Sequence, residues 1–110
     1  MSKQLHFSYE GKDYTLEYTK RTIKQMEDNG FIIDQMNQKP MTTLPELFAG
    51  AFRANHKTIK RDLIDEIYDH MPNKEDLIIK LVEMYNEQME GLVNEPDEHD
   101  SKKVEWTPNW

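Results

Sequence analysis

The sequence predicts an α+β domain, mainly α-helical, with an N-terminal β-hairpin followed by about four helices and a disordered acidic C-terminal tail. Three observations predict it. Two runs near the start alternate apolar and polar residues around a glycine-containing loop. From Thr19 to Leu92 the apolar residues recur at helical spacing. After Asn94 the chain turns acidic and loses its apolar residues until Val104.

Leu5-His-Phe-Ser-Tyr9 and Tyr14-Thr-Leu-Glu-Tyr18 are the alternating runs, and Glu10-Gly-Lys-Asp13 is the loop between them. Such a pair reads as a hairpin, and a lone hairpin is marginal in water, so its apolar face must pack on the helices. Thr19 suits a cap for a helix from about Lys20 to Asn29, with Ile23 and Met26 inward and Asn29-Gly30 as the stop. Phe31-Ile-Ile33 is short and apolar; periodicity leaves open a third strand or a helix ending near Met36. Asn37–Met41 reads as a loop.

The stretch from Thr43 to Met71 organises the chain. Thr43 reads as an N-cap, with Pro45 and Glu46 in the first turn. Leu44, Leu47, Phe48, Ala51 and Phe52 then make one apolar stripe. Asn55, His56 and Lys57 interrupt it, and Thr58 is placed to cap a second helix. Leu63, Ile64, Ile67, Tyr68 and Met71 form the second stripe, opposite Asp62, Asp65, Glu66 and Asp69. Two stripes joined by a tight corner predict a helical hairpin. Met71-Pro-Asn73 breaks the chain, and Asn73 caps the longest helix, whose apolar residues are Leu77, Ile78, Leu81, Val82, Met84, Tyr85, Met89 and Leu92. That stripe is broad enough to face the core on one side and a partner on the other. Residues 1–93 thus read as one domain. Residues 94–110 read as a flexible tail, with both tryptophans in the last five residues, Trp106 and Trp110.

Composition narrows the function. The 110 residues suit a single domain of modest core. There is no cysteine, which removes disulfides, thiolate nucleophiles and Cys-based zinc sites. No stretch approaches the roughly 20 apolar residues of a membrane helix, and the start, Met-Ser-Lys-Gln-Leu-His, lacks the apolar core of a signal peptide. A cytosolic protein without membrane contact is the expectation. Residues 1–61 carry ten Lys/Arg against seven Asp/Glu, and residues 62–110 carry four against fourteen, which together give the net −7. An acidic second half opposes general binding to nucleic acid. Opposite charge on the two halves suits head-to-tail association, although most of such charge can be a solvated helix face.

Chemistry-bearing residues are sparse. Of the four histidines, His70 follows Glu66 by four residues on one helix and could share a metal with it, but two ligands do not make a zinc site. The glycines, Gly11, Gly30, Gly50 and Gly91, form no phosphate-cradling loop. No catalytic constellation, metal site, cofactor or small-molecule substrate is expected. A DNA-binding helix-turn-helix regulator is the alternative. Lys57, Lys60 and Arg61 would begin its recognition helix, but Asp62, Asp65, Glu66 and Asp69 follow on the same exposed face and would repel phosphates. An accessory subunit of an enzyme is a third, weaker reading. Met84, Tyr85 and Met89 read as core filler or as an adaptable partner groove, and exposed tryptophans on a tail read as binding anchors. The candidate partner-binding residues are therefore Met84, Tyr85, Met89, Trp106 and Trp110.

Pro40-Met-Thr-Thr-Leu-Pro-Glu-Leu-Phe-Ala-Gly-Ala-Phe-Arg-Ala-Asn-His56, then Thr58-Ile59 and the acidic helix through Met71, carry a family resemblance. In its order of small β element, Leu-Phe-x-x-Ala-Phe-type helix, His-containing corner and acidic helix, the chain resembles the tail assembly chaperones of long-tailed bacteriophages and prophages over roughly residues 5–92. The resemblance implies a non-enzymatic protein of the bacterial host's cytoplasm that is absent from the finished virion. It implies binding to the tape measure protein, recruitment of tail tube subunits, self-association as a homo-oligomer and a frameshifted longer product.

Overall fold

The computed structural model describes residues 3–93 and 101–110. An antiparallel hairpin of β1 (Leu5–Tyr9) and β2 (Lys12–Leu16) is followed by α1 (Lys20–Asp28), a 3-10 turn (Ile33–Asn37), α2 (Pro40–Gly50), α3 (Arg61–His70) and α4 (Lys74–Glu90). The predicted class, a β-hairpin followed by four helices, is the one observed.

The hairpin register pairs Leu5 with Leu16 and Tyr9 with Lys12. The turn is therefore Glu10-Gly11 alone, with φ of 50° and 79°, the all-positive geometry of a two-residue hairpin turn. The second strand begins two residues before the predicted Tyr14. Tyr14 and Leu16 point inward, and Phe7 stacks on Tyr14 with ring centroids 5.4 Å apart.

Thr19 caps α1 as expected, through a full capping box with Thr22. Ile23 and Met26 face the core. Phe31 is buried, Ile32 is exposed, and Ile33–Asn37 forms the 3-10 turn, so the ambiguous run is neither a third strand nor an α-helix.

The start of α2 corrects the sequence reading. The helix opens at Pro40, and Thr43 is an interior buried residue, not the cap. Pro40 suits the first helical position because its missing N–H has no partner there anyway. Pro45 lies inside the helix, and the carbonyl it cannot serve belongs to the strongly exposed Met41, where water can bond it. The corner is not tight: Ala51–Lys60 separates α2 from α3. Thr58 does not cap α3, whose N-cap is Lys60 without a side-chain bond. Asn73 holds the predicted N-cap position of α4 in the left-handed region, φ 51°, and its side chain makes no cap bond.

α2 and α3 form the expected helical hairpin, with Phe48 on Tyr68 at 5.1 Å and Arg61 paired to Glu46 at 2.8 Å. Lys74 Nζ donates to the carbonyls of Met71 (2.9 Å) and Asp69 (3.2 Å), satisfying the end of α3. Residues from the hairpin and all four helices share one core, in which Leu16, Tyr18, Leu47, Phe48, Phe52, Ile67, Leu81 and Tyr85 are fully buried. Leu63, expected in that core, is half-buried.

Candidate partner-binding surface

α1 and α4 run antiparallel. The Lys20 side chain lies over the backbone of Gly91, where an added Cβ would meet its Cε at 3.4 Å. Along this seam a cleft of about 390 Å³ opens between Lys20, Ile23, Lys24 and Glu27 on one wall and Gln88, Met89 and Leu92 on the other. Ile23 is the buried floor; Met89 is partly exposed, Leu92 is 66% exposed and Val93 more so. The cleft is apolar with a charged rim. Lys24 is paired with Asp28 at 3.2 Å, while Lys20 takes part in no ion pair among the described residues.

The structure divides the predicted partner-binding residues. Met84 and Tyr85 are 4% and 2% exposed and belong to the core, with the Tyr85 ring edge-on to Tyr18 at 5.5 Å and near Phe31 at 5.8 Å. Met89 lies at the cleft. Trp106 is 78% exposed and Trp110 fully so, and residues 101–110 contain no helix or strand. The predicted disorder of 94–100 falls outside the described residues. Leu92, Ile23 and Lys20 complete the cleft. The sequence displays each of them, but not that positions some 70 residues apart face one another across one cleft.

A second cleft, about 380 Å³, is lined by Thr19, Arg21, Thr22, Gln25, Arg53, Ala54 and Lys57. Lys57 also borders a neighbouring depression with Lys12 and Lys60. The first half of the chain thus gathers Arg53, Lys57, Lys60 and Lys12 around residues 51–60, with no ion pair to them among the described residues, while Asp62, Asp65, Glu66 and Asp69 line the exposed side of α3. This basic region has a fixed geometry, because the connection is bonded to the hairpin. Glu17 N–H donates to the Ala51 carbonyl at 3.0 Å, and Thr15 N–H donates to His56 Nε2 at 3.0 Å. Asn55 Nδ2 donates to Glu17 Oε1 at 2.9 Å. His56 is held between Tyr14 and Phe52.

The polar clusters have structural partners. Glu66 accepts from the Tyr9 hydroxyl at 2.7 Å, and His70 Nδ1 lies 2.9 Å from the Glu66 carbonyl, so this pair ties β1 to α3. The hydrogen bond to Glu66, with the carboxylate's charge, pushes the Tyr9 phenol up to about 12. Burial pushes the Tyr18 phenol well above its ordinary value, and Tyr85 and Tyr68 upward. Among the described residues no group of three or more His, Asp or Glu is placed to hold a metal, and no helix is long and apolar enough to cross a membrane.

Residues 1–110 match the family described as Domain of unknown function (DUF5055). The chain belongs to the DUF5055 family. No curated protein and no solved structure matches it. In this DUF5055 chain the seam of α1 and α4 holds an open apolar cleft, and the basic connection contrasts with the acidic exposed side of α3.

Proposed function

We propose that this DUF5055 chain is a tail assembly chaperone of a long-tailed phage or prophage. In this reading it is not an enzyme; it coats apolar helical surface of the tape measure protein in the host cytoplasm, helps recruit tail tube subunits, and is displaced as the tube forms. The observation that carries the reading is the ordered resemblance over residues 5–92. A β element is followed by a helix that buries Leu47 and Phe48, a corner containing His56 and the buried Phe52, and an acidic helix ending at His70. An open apolar cleft with Met89 on its wall supports it, since flexible thioethers adapt to varied apolar partners.

The helix-turn-helix alternative fits less well. That motif joins its helices by a turn of about 3–4 residues, whereas Ala51–Lys60 intervenes here. The exposed side of α3 also carries four carboxylates.

The test is co-expression with the tape measure protein whose gene this reading expects immediately downstream. The tape measure protein should be soluble and co-purify only when this chain is present. A tape measure protein that is equally soluble alone, and not retained by the tagged chain, overturns the reading.

A further inference from the structure

We propose that the α1/α4 cleft is a receptor for the tryptophan-bearing C-terminal segment of a second copy of this chain, Trp106 entering the cleft and Glu105 meeting Lys20. The cleft and its occupant are chemically matched. The walls offer Ile23, Leu92 and the Met89 thioether, which suits an aromatic face. Lys20 has no acid among the described residues, and Glu105 directly precedes Trp106. A buried indole N–H needs an acceptor, and the Glu27 carboxylate stands at the rim.

One observation favours a second copy over the chain's own tail. Trp106 is 78% exposed and Trp110 fully so in the same structure in which the cleft stands open. Trp106 lies thirteen positions beyond Val93, a reach of up to about 40 Å when extended, enough to span to a neighbour.

Reciprocal exchange sets the area. A tryptophan buries about 150–250 Å². Trp106 from each of two tails gives roughly 300–500 Å², and the facing clefts lose a similar amount. That total of about 600–1,000 Å² is the size of a weak, reversible interface, and one tail in one cleft gives half of it.

The experiment uses the full chain and its own fluorescence, because both tryptophans lie in the last five residues and every emission change reports the tail. On raising the protein from nanomolar to high micromolar, the emission should shift to the blue in step with a doubling of mass by sedimentation. Leu92→Glu and Trp106→Ala should each abolish both changes while far-UV circular dichroism is unchanged, since both side chains are exposed in the single chain. Mixing the two variants should restore a weaker association between them, because the Leu92→Glu chain keeps an intact tail and the Trp106→Ala chain an intact cleft, which leaves one of the two contacts. Solvent-exposed emission from a monomer at every concentration overturns the proposal. So does a blue-shifted emission independent of concentration, which would place the tail in its own cleft. Association that survives Leu92→Glu overturns it as well, by placing the contact elsewhere.

Discussion

Tyr18→Phe tests how the centre of the fold satisfies its own backbone. The Tyr18 ring is buried against Tyr85, and its hydroxyl donates to the Leu47 carbonyl at 2.6 Å. That carbonyl needs it. At the end of α2 the Ala51 N–H turns to Phe48, the Phe52 N–H to Ala49 and the Arg53 N–H to Gly50, so Leu47 loses its usual helical partner. The carbonyls of Ala51 and Phe52 are served by Glu17 N–H and His56 N–H. Removing the hydroxyl keeps the ring and strands one buried acceptor, which costs about 1–3 kcal/mol. Urea unfolding at pH 7 should show a lower midpoint with an unchanged slope. The sign of the pH dependence follows from burial, which raises the folded-state pKa of Tyr18. Its contribution is complete below the unfolded value of about 10 and is lost as pH rises beyond it, because only the unfolded chain ionises there. The gap between the two proteins should therefore narrow above that pH. Tyr9 acts with the same sign, through its bond to Glu66, and is present in both. A loss below about 0.5 kcal/mol at pH 7, the range of ordinary surface changes, would refute the accounting, as would a gap that widens in alkali.

Three further outcomes are expected. Gly50→Ala places a Cβ 2.4 Å from Met26 Sδ and 2.5 Å from its Cε, so the flexible end of Met26 must turn aside, and the gain of about 0.5–1 kcal/mol from replacing a helical glycine should be offset; a thermal midpoint raised by that full gain would show that α1 and α2 approach less closely than described. Phe48→Ala should cost about 3–5 kcal/mol and Leu63→Ala clearly less, because Phe48 is fully buried and Leu63 only partly; equal losses in denaturant titrations would mean that the faces of α3 are misassigned. Gel shift with mixed duplex at low salt, where charge attraction is least screened, should show no retarded band at micromolar protein, and a band would move the reading toward the regulator.

What the sequence disclosed depended on how local the cause was. Thr19 caps α1 through Thr22, three residues away, and both were visible together. The hairpin was legible from alternation, but its turn was not. Glu10-Gly11 makes the two-residue turn with a glutamate at positive φ, outside the Asn-Gly or Asp-Gly signal, so Lys12 and Asp13 read as loop instead of strand. At α2 the local signals competed. Thr43-Leu-Pro45 is a sound helix start and Pro40 is another. The outcome turned on tertiary burial of the Thr43 side chain and on Met41, whose exposure makes an unserved carbonyl tolerable.

The candidate surface was half legible for a geometric reason. Tyr85, Met89 and Leu92 follow one another at four and three residues, so periodicity puts them on the same face of α4 and cannot say which is covered. The helix lengths decide. α4 has 17 residues, about 25 Å, and α1 has 9, about 14 Å. Running antiparallel, α1 begins at Lys20 beside Gly91. Phe31, just past the end of α1, reaches Tyr85 and closes over it. Thr19 turns the chain back toward the hairpin in extended conformation, and at this end of α4 the Lys3 N–H donates to Glu87 Oε1 at 2.9 Å. Met89 and Leu92 are therefore left at the open end of a seam whose middle is core. The cleft thus lies where the first turns of α1 meet the last turn of α4. Its position depends on a contact between residues 20 and 91 that no local pattern encodes.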